Sequence, residues 1–301
     1  MATADIALLT DHRYTAQKAS PGDWYMGNIL HDDRLLQDAL SAIGLTSVRI
    51  DWADPDVDWS RFRCAVFRTT WDYYERVSEF TNWLDRIEKQ TRLCNDISLI
   101  RWNLDKHYLT DLATKEIPVV NSRFIESGSS ITLHQLLDET GWEEAVLKPS
   151  VSGGAYHTFR VNRGNADMLQ PTVHPLIADK SFLMQPFMDE IQLTGEDTLM
   201  IIDGRYTHAV RKVATAGDFR VQDDHGGTVH AYEPTHQQID LAERAMAACP
   251  SPPAYGRVDM VRDQNGDWVV MELEIIEPEL WLRHHPPAAS YFAQAIAREV
   301  L

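Results

Sequence analysis

The sequence predicts an α/β fold divided into three modules, and three observations support this. Strand and helix patterns alternate over residues 5–68, which is typical of a mainly parallel sheet with covering helices. A strand over residues 144–148 ends in a lysine and leads into a loop of small residues. Residues 256–277 form an Asn-Gly hairpin pattern whose strands carry several carboxylates. We therefore divide the chain into residues 1–102, 103–190 and 191–301.

The composition argues against several classes of function. The chain has 301 residues and a net charge of −17, which argues against nucleic acid or an anionic membrane as a partner. No apolar run reaches the length of a membrane span, and the N-terminus lacks the basic segment of a signal peptide. The cysteines Cys64, Cys94 and Cys249 are far apart and indicate reduced thiols of a cytoplasmic protein. A bound polyanion would need a local cluster of cations.

The first module has the order strand, helix, strand, strand, helix. The helix over residues 28–43 has apolar residues at helical spacing and is followed by Gly44, a typical C-terminal cap. Ligands of parallel sheets bind at the carboxyl ends of the strands. We predict strands at 5–10, 46–50 and 64–68, and a second helix at 75–90.

Four side chains in the loops after these strands are candidates for substrate binding: Arg13, Arg68, Trp71 and Asp72. An arginine fork matches a carboxylate, and an aspartate can pair with an ammonium group, so together they suit an amino acid. The alternative is that Arg68 and Asp72 pair with each other to hold the loop, with Trp71 in the core.

The middle module centres on Lys148 and the small-residue loop over 150–155. Glycine lets a backbone approach phosphates closely, and a lysine on the preceding strand can reach the same phosphates. The alternative is a flexible hairpin tip. The strand over residues 182–187, FLMQPF, could present backbone groups to an adenine edge or could be a plain edge strand. The other predicted elements are helices at 103–114, 131–140 (with Ser130 as N-cap) and 165–179 (interrupted by Pro171 and Pro175), and strands at 117–120 and 156–161.

The third module begins with strands at 198–202 and 205–213, where the adjacent cations Arg211 and Lys212 favour a bound anion in so acidic a chain. A loop-rich segment at 218–230 contains Gly226 and Gly227. The remaining predicted elements are a helix at 234–248, the hairpin, and a closing helix at 287–300.

The hairpin turns at Asn265-Gly266, and its strands are predicted at 255–261 and 268–275. Glu272 and Glu274 are two residues apart, so their carboxylates share one face of a strand. Asp259 lies on the partner strand at about the register needed to join them. Clustered carboxylates suit Mg²⁺, which is bound by one or two carboxylates together with substrate phosphates. The alternative is the solvated face of an amphipathic hairpin.

Taken in order, these pieces resemble the ATP-grasp superfamily. The stretch over residues 103–278 is most similar to prokaryotic glutathione synthetases. The N-terminal segment, with FRTTWDYY and IRWNLDK, looks more like the small-molecule ligases around the cycloserine-forming O-ureidoserine cyclo-ligase. The resemblance rests on Lys106 in NLDKHYL, Lys148 in VLKPSVSGGAYHTFRV, the strand FLMQPF, Arg211 in HAVRK, the Gly-Gly loop, Asp259 in GRVDMV, and Glu272 and Glu274 in VMELEIIEP.

This resemblance implies an ATP-grasp fold with a Rossmann-like N-terminal pre-ATP-grasp domain, a central lid and a C-terminal catalytic module. It also implies a role for each matching position. ATP would contact Lys106, Lys148, Ser152, Gly153, Gly154, Gln185, Phe187, Glu190 and Asp197; the catalytic cations would be Arg211, Lys212 and Arg257; two Mg²⁺ ions would bind Asp259, Glu272 and Glu274; and Gly226 and Gly227 would lie near the substrate.

Two positions depart from the family pattern. Glu274 stands where Asn is usual, which adds negative charge and allows Mn²⁺ as an alternative metal. His225 stands where glutathione synthetases often have Arg, which argues against glutathione-type substrates. The expected function is ATP-dependent ligation of a small, amino-acid-like carboxylate to an amine through an acyl phosphate, forming an amide or cyclic amide and releasing ADP and phosphate. The alternatives are a small-molecule kinase or a non-catalytic nucleotide-binding regulator. A homodimer or homotetramer is possible.

Overall fold

The computed structural model describes residues 4–215 and 226–300, which form three β-sheets covered by helices. The first sheet is parallel and the other two are antiparallel. The α/β fold predicted from the sequence is confirmed. Within the described ranges, no helix is long and apolar enough to cross a membrane.

The N-terminal sheet has the strand order β2-β1-β3-β4, and every neighbouring pair is parallel. Leu36 and Leu40 of the first helix pack on one face together with the C-terminal helix, and Trp83 of the second helix packs on the other. Strand β4 was not predicted, because it has only three residues. The elements are β1 (Ile6–Thr10), α1 (Trp24–Ala42), β2 (Ser47–Asp51), β3 (Cys64–Thr69), α2 (Val77–Ile87) and β4 (Arg92–Cys94).

The helix predicted over residues 103–114 is wrong, since two helices, α3 (Ile97–Asn103) and α4 (Tyr108–Thr114), occupy this stretch. The helix is interrupted between them, and there the backbone N–H of Lys106 donates to the carbonyl of Ser150 at 2.9 Å. This contact fixes Lys106 beside the small-residue loop.

The middle sheet has the strand order β5-β8-β6-β7 and is covered by two helices. Thr132, rather than Ser130, caps the first of them, because its side chain forms a capping box with Gln135. The second helix runs through Pro171 and Pro175 without a break. The elements are β5 (Arg123–Ile125), α5 (Leu133–Thr140), β6 (Glu144–Pro149), β7 (Phe159–Asn162), α6 (Ala166–Asp179), β8 (Phe182–Pro186) and the short α7 (Asp189–Leu193).

The C-terminal sheet has the strand order β11-β10-β9-β12-β13, with all neighbours antiparallel. The end of the segment predicted to be loop is instead strand β11, which pairs with β10. His225 and residues 218–224 of that segment lie outside the described ranges. The elements are β9 (Glu196–Ile202), β10 (Arg205–Val213), β11 (Thr228–Tyr232), α8 (His236–Ala247), β12 (Tyr255–Arg262), β13 (Trp268–Glu274) and α9 (Ala288–Val300).

The β12–β13 hairpin has the predicted turn and register, with Gly266 in the left-handed region and Asp259 opposite Glu272. The outer edge of β13 is covered by groups from the segment around α3 and α4. Asn103 donates to the carbonyl of Leu273 at 2.8 Å, and the Tyr108 hydroxyl accepts from the N–H of Leu273 at 2.9 Å. The edge is thereby paired, and the carboxylates are held against the rest of the molecule.

Candidate active site

A cavity of about 270 Å³ lies where the three sheets meet. Because β12 and β13 are antiparallel and in register, they present alternate side chains to it. The cavity is lined by cations, carboxylates and aromatic rings. Its charged lining consists of Arg13, Lys106, Lys148, Lys212 and Arg257, together with Glu196, Asp259, Glu272, Glu274, Glu277 and Glu279.

Asp259 is the centre of a buried network of charges. Arg257 contacts both of its oxygens, with Nε at 2.9 Å from Oδ1 and an amino nitrogen at 2.9 Å from Oδ2. The ammonium of Lys212 lies 2.8 Å from Oδ2 and also pairs with Glu196. Burial would raise the pKa of Asp259, but Arg257 and Lys212 outweigh burial and hold that pKa well below its usual range. Asp259 is therefore ionised and saturated with cationic partners.

Glu272 and Glu274 are more accessible, with 25% and 26% of their side chains exposed, against 3% for Asp259. Glu272 pairs with Lys106 at 3.1 Å, and Glu274 pairs with Arg257. Burial opposes ionisation of Glu272, but Lys106 and Lys148 lower its pKa. Burial raises the pKa of Glu274 to about 8, with further contributions from the neighbouring carboxylates. Burial thus opposes ionisation of both carboxylates, and the neighbouring cations outweigh burial at Glu272 but not at Glu274.

Within the described ranges, no group of three His, Cys, Asp or Glu side chains is arranged to hold a metal ion by itself. The oxygen donors of Glu272 and Glu274 nevertheless fit Mg²⁺, which typically binds one or two carboxylates and completes its shell with phosphates and water. These carboxylates therefore suit a metal ion that binds together with a nucleotide better than one that is held by the protein alone. Asp259, which is almost fully enclosed by Arg257 and Lys212, is the least accessible of the three predicted ligands.

Lys106 and Lys148 lie on the same side of the cavity but differ in their partners. Lys106 donates to the carbonyl of Ser152 at 2.6 Å and pairs with Glu272. Lys148, on β6, forms no ion pair with any described residue, and burial lowers the pKa of its ammonium. Glu272 acts on this ammonium through space, but an anion at this point would gain a cation that makes no direct ion pair with a described residue.

The small-residue loop spans the cavity and reaches the N-terminal sheet. Gly153 and Gly154 lie against the Tyr74 ring so closely that a Cβ at Gly153 would be 2.7 Å from a ring carbon. Gly154 also has φ of +53°, a conformation that favours glycine. Ser152 is buried and donates to the carbonyl of Pro149. The glycines therefore allow the loop to close over the lysines.

An apolar slot at the end of β8 adjoins these cations. Val146, Met188, Ile191 and Met271 line it, together with the two residues predicted to contact adenine, Gln185 and Phe187. Gln185 is buried and donates to the hydroxyl of Ser122 at 3.0 Å. The slot has the flat apolar walls and few polar groups of a base-binding pocket.

Three of the predicted nucleotide or catalytic residues do not line the cavity. Arg211 and Asp197 form a bidentate pair, at 2.6 and 3.0 Å, on the opposite face of the sheet beside α8. Glu190 lies on α7, where its carboxylate accepts from Thr194. Because side chains alternate along a strand, their neighbours Lys212 and Glu196 face the cavity instead.

Of the N-terminal residues predicted to bind substrate, some line the cavity and others do not. Arg13 and Trp71 line the cavity, and Arg13 pairs with Asp11 at 2.7 Å. Arg68 is buried away from it and bonds to Asp33 at 3.2 Å, not to Asp72. Asp72 instead accepts from Trp52 and Arg76. Neither the predicted role of Arg68 and Asp72 in the substrate pocket nor their mutual pairing matches this geometry.

Gly227 borders a second, open hollow beside β11, and Gly226 lines neither this hollow nor the main cavity. Several lining residues were not predicted, because their positions depend on long-range packing and they carry no local motif. They include Tyr14, Tyr25, Glu196, Glu277 and Trp281.

Comparison with known proteins agrees with this geometry. Residues 6–95 match the family described as the N-terminal domain of D-cycloserine synthetase DcsG, and residues 111–249 match the ATP-grasp domain of prokaryotic glutathione synthetase. The chain is 34% identical over 283 residues to the cycloserine biosynthesis protein DcsG of Streptomyces lavendulae, covering 88% of this chain and 92% of that protein. The chain belongs to the DcsG family of ATP-grasp ligases.

Solved structures support the same assignment. The crystal structure of D-cycloserine synthetase DcsG superposes with a TM-score of 0.83 at 32% identity, covering 98% of this chain and 99% of that one. The fold is shared with a RimK-domain ATP-grasp protein of Sphaerobacter thermophilus (TM-score 0.68, 18% identity, 97% and 99% covered). It is also shared with the D-alanine–D-alanine ligase of Bacillus anthracis (TM-score 0.65, 16% identity, 98% and 96% covered). This DcsG-family chain is thus an ATP-dependent ligase that forms carbon–nitrogen bonds, with a divalent metal as cofactor.

Proposed function

We propose that the enzyme activates the carboxylate of a small, amino-acid-like substrate as an acyl phosphate and couples it to an amine, giving an amide or a cyclic amide. The observation that carries this proposal is the single cavity, which joins an apolar slot, two lysines and a face of carboxylates to an aromatic pocket on the N-terminal sheet. A nucleotide and a second small molecule would meet there end to end. The similarity to D-cycloserine synthetase favours ring closure within one molecule.

The nucleotide would lie with its base in the slot between Phe187 and Met271 and its phosphates between Lys106 and Lys148. The loop around Gly153 would supply backbone N–H groups and exclude water. Glu272 and Glu274 would hold Mg²⁺ or Mn²⁺, one ion or two, which neutralises charge on the terminal phosphates.

In the first step, a carboxylate oxygen of the substrate attacks the γ-phosphorus, and the bond from that phosphorus to the bridging oxygen of ADP breaks. In the second step, an amine nitrogen attacks the acyl carbon, phosphate leaves, and the nitrogen loses a proton. Lys212 and Arg257 line the cavity and would stabilise the charge on the transferred phosphoryl group in place of Arg211. Positioning and electrostatics would supply most of the rate enhancement.

The proposal is tested by screening amino acids and their ureido, hydroxylamine and amide derivatives for release of ADP together with phosphate. A ligase releases both in a 1:1 ratio with the new amide. A kinase on the same scaffold would release ADP and leave the phosphate on its product. A nucleotide-binding regulator would release neither.

A further inference from the structure

The carboxylate of Glu277 is buried but forms no ion pair with any described residue. Glu277 follows β13, lines the cavity and is 8% exposed. No Lys, Arg or His among the described residues forms an ion pair with it, in contrast to Asp259, Glu272 and Glu274. Its carboxylate interacts with the Tyr73 hydroxyl, but this neutral group does not balance the charge, and a buried charge without a countercharge is costly. The cavity therefore contains a negative group that a ligand would satisfy.

Three aromatic rings of the N-terminal module pack together beside Glu277. The rings of Tyr14 and Trp71 meet edge to face at 5.4 Å, and Tyr25 lies 6.2 Å from each of them. The indole N–H of Trp71 donates to the backbone carbonyl of Glu277 at 3.1 Å, which fixes the ring beside the acid. Aromatic faces attract cations, so they favour the same charge as the carboxylate.

Trp281 also lines the cavity, with the Arg257 guanidinium 5.2 Å from the centre of its ring, and two features distinguish it. It has φ of +43° and ψ of +44°, a left-handed conformation that costs free energy for a non-glycine residue and is concentrated at functional sites. Its indole N–H is buried and has no hydrogen-bond partner among the described residues. The left-handed turn places this ring at the cavity.

We propose that Glu277, within the aromatic enclosure of Tyr14, Tyr25, Trp71 and Trp281, binds the ammonium group of the substrate. The enzyme would then select zwitterionic amino acids and their derivatives, and reject hydroxy acids of the same shape. This inference rests on the proposed function, since it names the substrate class of the same cavity. It places the ammonium group at Glu277, so that the carboxylate of the same molecule can face the phosphates.

Burial raises the pKa of Glu277 to about 7, and the interaction with the Tyr73 hydroxyl and the charge of Lys106 oppose that shift, while Glu272 adds to it. A bound ammonium group would stabilise the ionised form and lower this pKa. Binding of the amine should therefore shift the carboxyl group of Glu277 towards its ionised form.

The test is calorimetric titration of the full-length ADP-bound protein with D-serine, D-cycloserine and the amine-free analogue D-glycerate, in wild type and in Glu277→Gln. We expect at least one amine-bearing probe to bind, D-glycerate to bind at least ten-fold more weakly, and Glu277→Gln to weaken the amine about 10- to 100-fold, the range expected for a lost charge-assisted hydrogen bond. Affinity for ADP should not change. Glu277→Asp, which keeps the charge, should recover part of the loss.

The matched control is Glu279→Gln, which removes the same charge two residues further along. Glu279 is already paired with Arg283 at 2.8 Å, so this change should leave amine binding within two-fold of wild type. Equal binding of D-serine and D-glycerate, no amine binding by the wild type, or an unchanged affinity in Glu277→Gln would each overturn the inference. ADP release is scored separately, so a protein that binds amines through Glu277 without turnover would contradict only the proposed ligase reaction.

Discussion

Replacing Lys148 with methionine separates nucleotide binding from fold stability. Methionine keeps the aliphatic part of the side chain and removes the ammonium, which forms no ion pair with any described residue. Each charge-assisted hydrogen bond to a phosphate is worth about 1.5–3 kcal/mol, so the Kd for ATP should rise by about 10- to 150-fold. The rise should be smaller at high salt, because screening already weakens the contact.

The thermal stability of the ligand-free protein should not fall in Lys148→Met, although its affinity for ATP does. Burial lowers the pKa of Lys148 in the folded state, so the protonated amine destabilises the fold at neutral pH, and this penalty is relieved only as the pH rises toward the pKa of the unfolded chain. Lys148→Met should therefore leave Tm unchanged or raise it.

Lys106→Met is the comparison, because that lysine pairs with Glu272 at 3.1 Å and donates to Ser152. Breaking this pair should lower the free energy of unfolding by about 2–3 kcal/mol. This is less than for a fully buried pair, because a quarter of the Glu272 side chain is exposed. The corresponding fall in Tm is about 3–5 °C. Calorimetric titration with a non-hydrolysable ATP analogue and scanning calorimetry measure both quantities. Unchanged nucleotide affinity in Lys148→Met, or a large loss of stability in that variant, would refute the reasoning.

Four further predictions concern other parts of the molecule. Glu272→Gln should lower turnover about 100-fold or more while the protein still folds, as judged by kinetics and circular dichroism; wild-type turnover would exclude this residue from the metal site. Lys212→Met should abolish turnover, whereas Arg211→Met should mainly lower Tm, because the two side chains lie on opposite faces of the sheet. Loss of turnover in Arg211→Met, with turnover kept in Lys212→Met, would instead assign Arg211 to the active site. Arg68→Lys should cost about 1–3 kcal/mol of unfolding free energy in urea with KM for the substrate unchanged, since Arg68 bonds to a buried carboxylate outside the cavity. The pKa of Glu277 is raised to about 7, so its contribution to stability is present at low pH and is lost as the pH rises from 5 to 8. The Tm of Glu277→Gln should therefore exceed the Tm of wild type by an amount that increases over this range. A difference in Tm that stays constant with pH would contradict the shift.

The sequence is sufficient to predict the features that are encoded locally. The hairpin with its turn at Gly266 follows from an Asn-Gly pair between alternating strands, and the pairing of Asp259 with Glu272 follows from the strand period. The parallel N-terminal sheet follows from its alternation of strands and helices. The position of Lys148 beside the small-residue loop also follows from adjacent residues.

The remaining errors have a physical cause, which is that long-range packing decides between neighbouring options. Arg211 and Lys212 are equally good cations in the sequence, and only the register of β10 against β9 shows which one faces the cavity. The acceptor of Arg68 is Asp33, thirty-five positions earlier, on a helix packed behind the sheet. The aromatic enclosure brings Tyr25 and Trp281 together from opposite ends of the chain.

The reaction itself is tested most directly by isotope transfer. The protein is incubated with ATP and an accepted amino-acid derivative whose carboxylate carries ¹⁸O, and the released phosphate is analysed by mass spectrometry. Formation of an acyl phosphate predicts that one ¹⁸O atom appears in the phosphate for each amide formed, since the carboxylate oxygen leaves with the phosphoryl group. Unlabelled phosphate, or a phosphorylated product in place of an amide, would contradict the account.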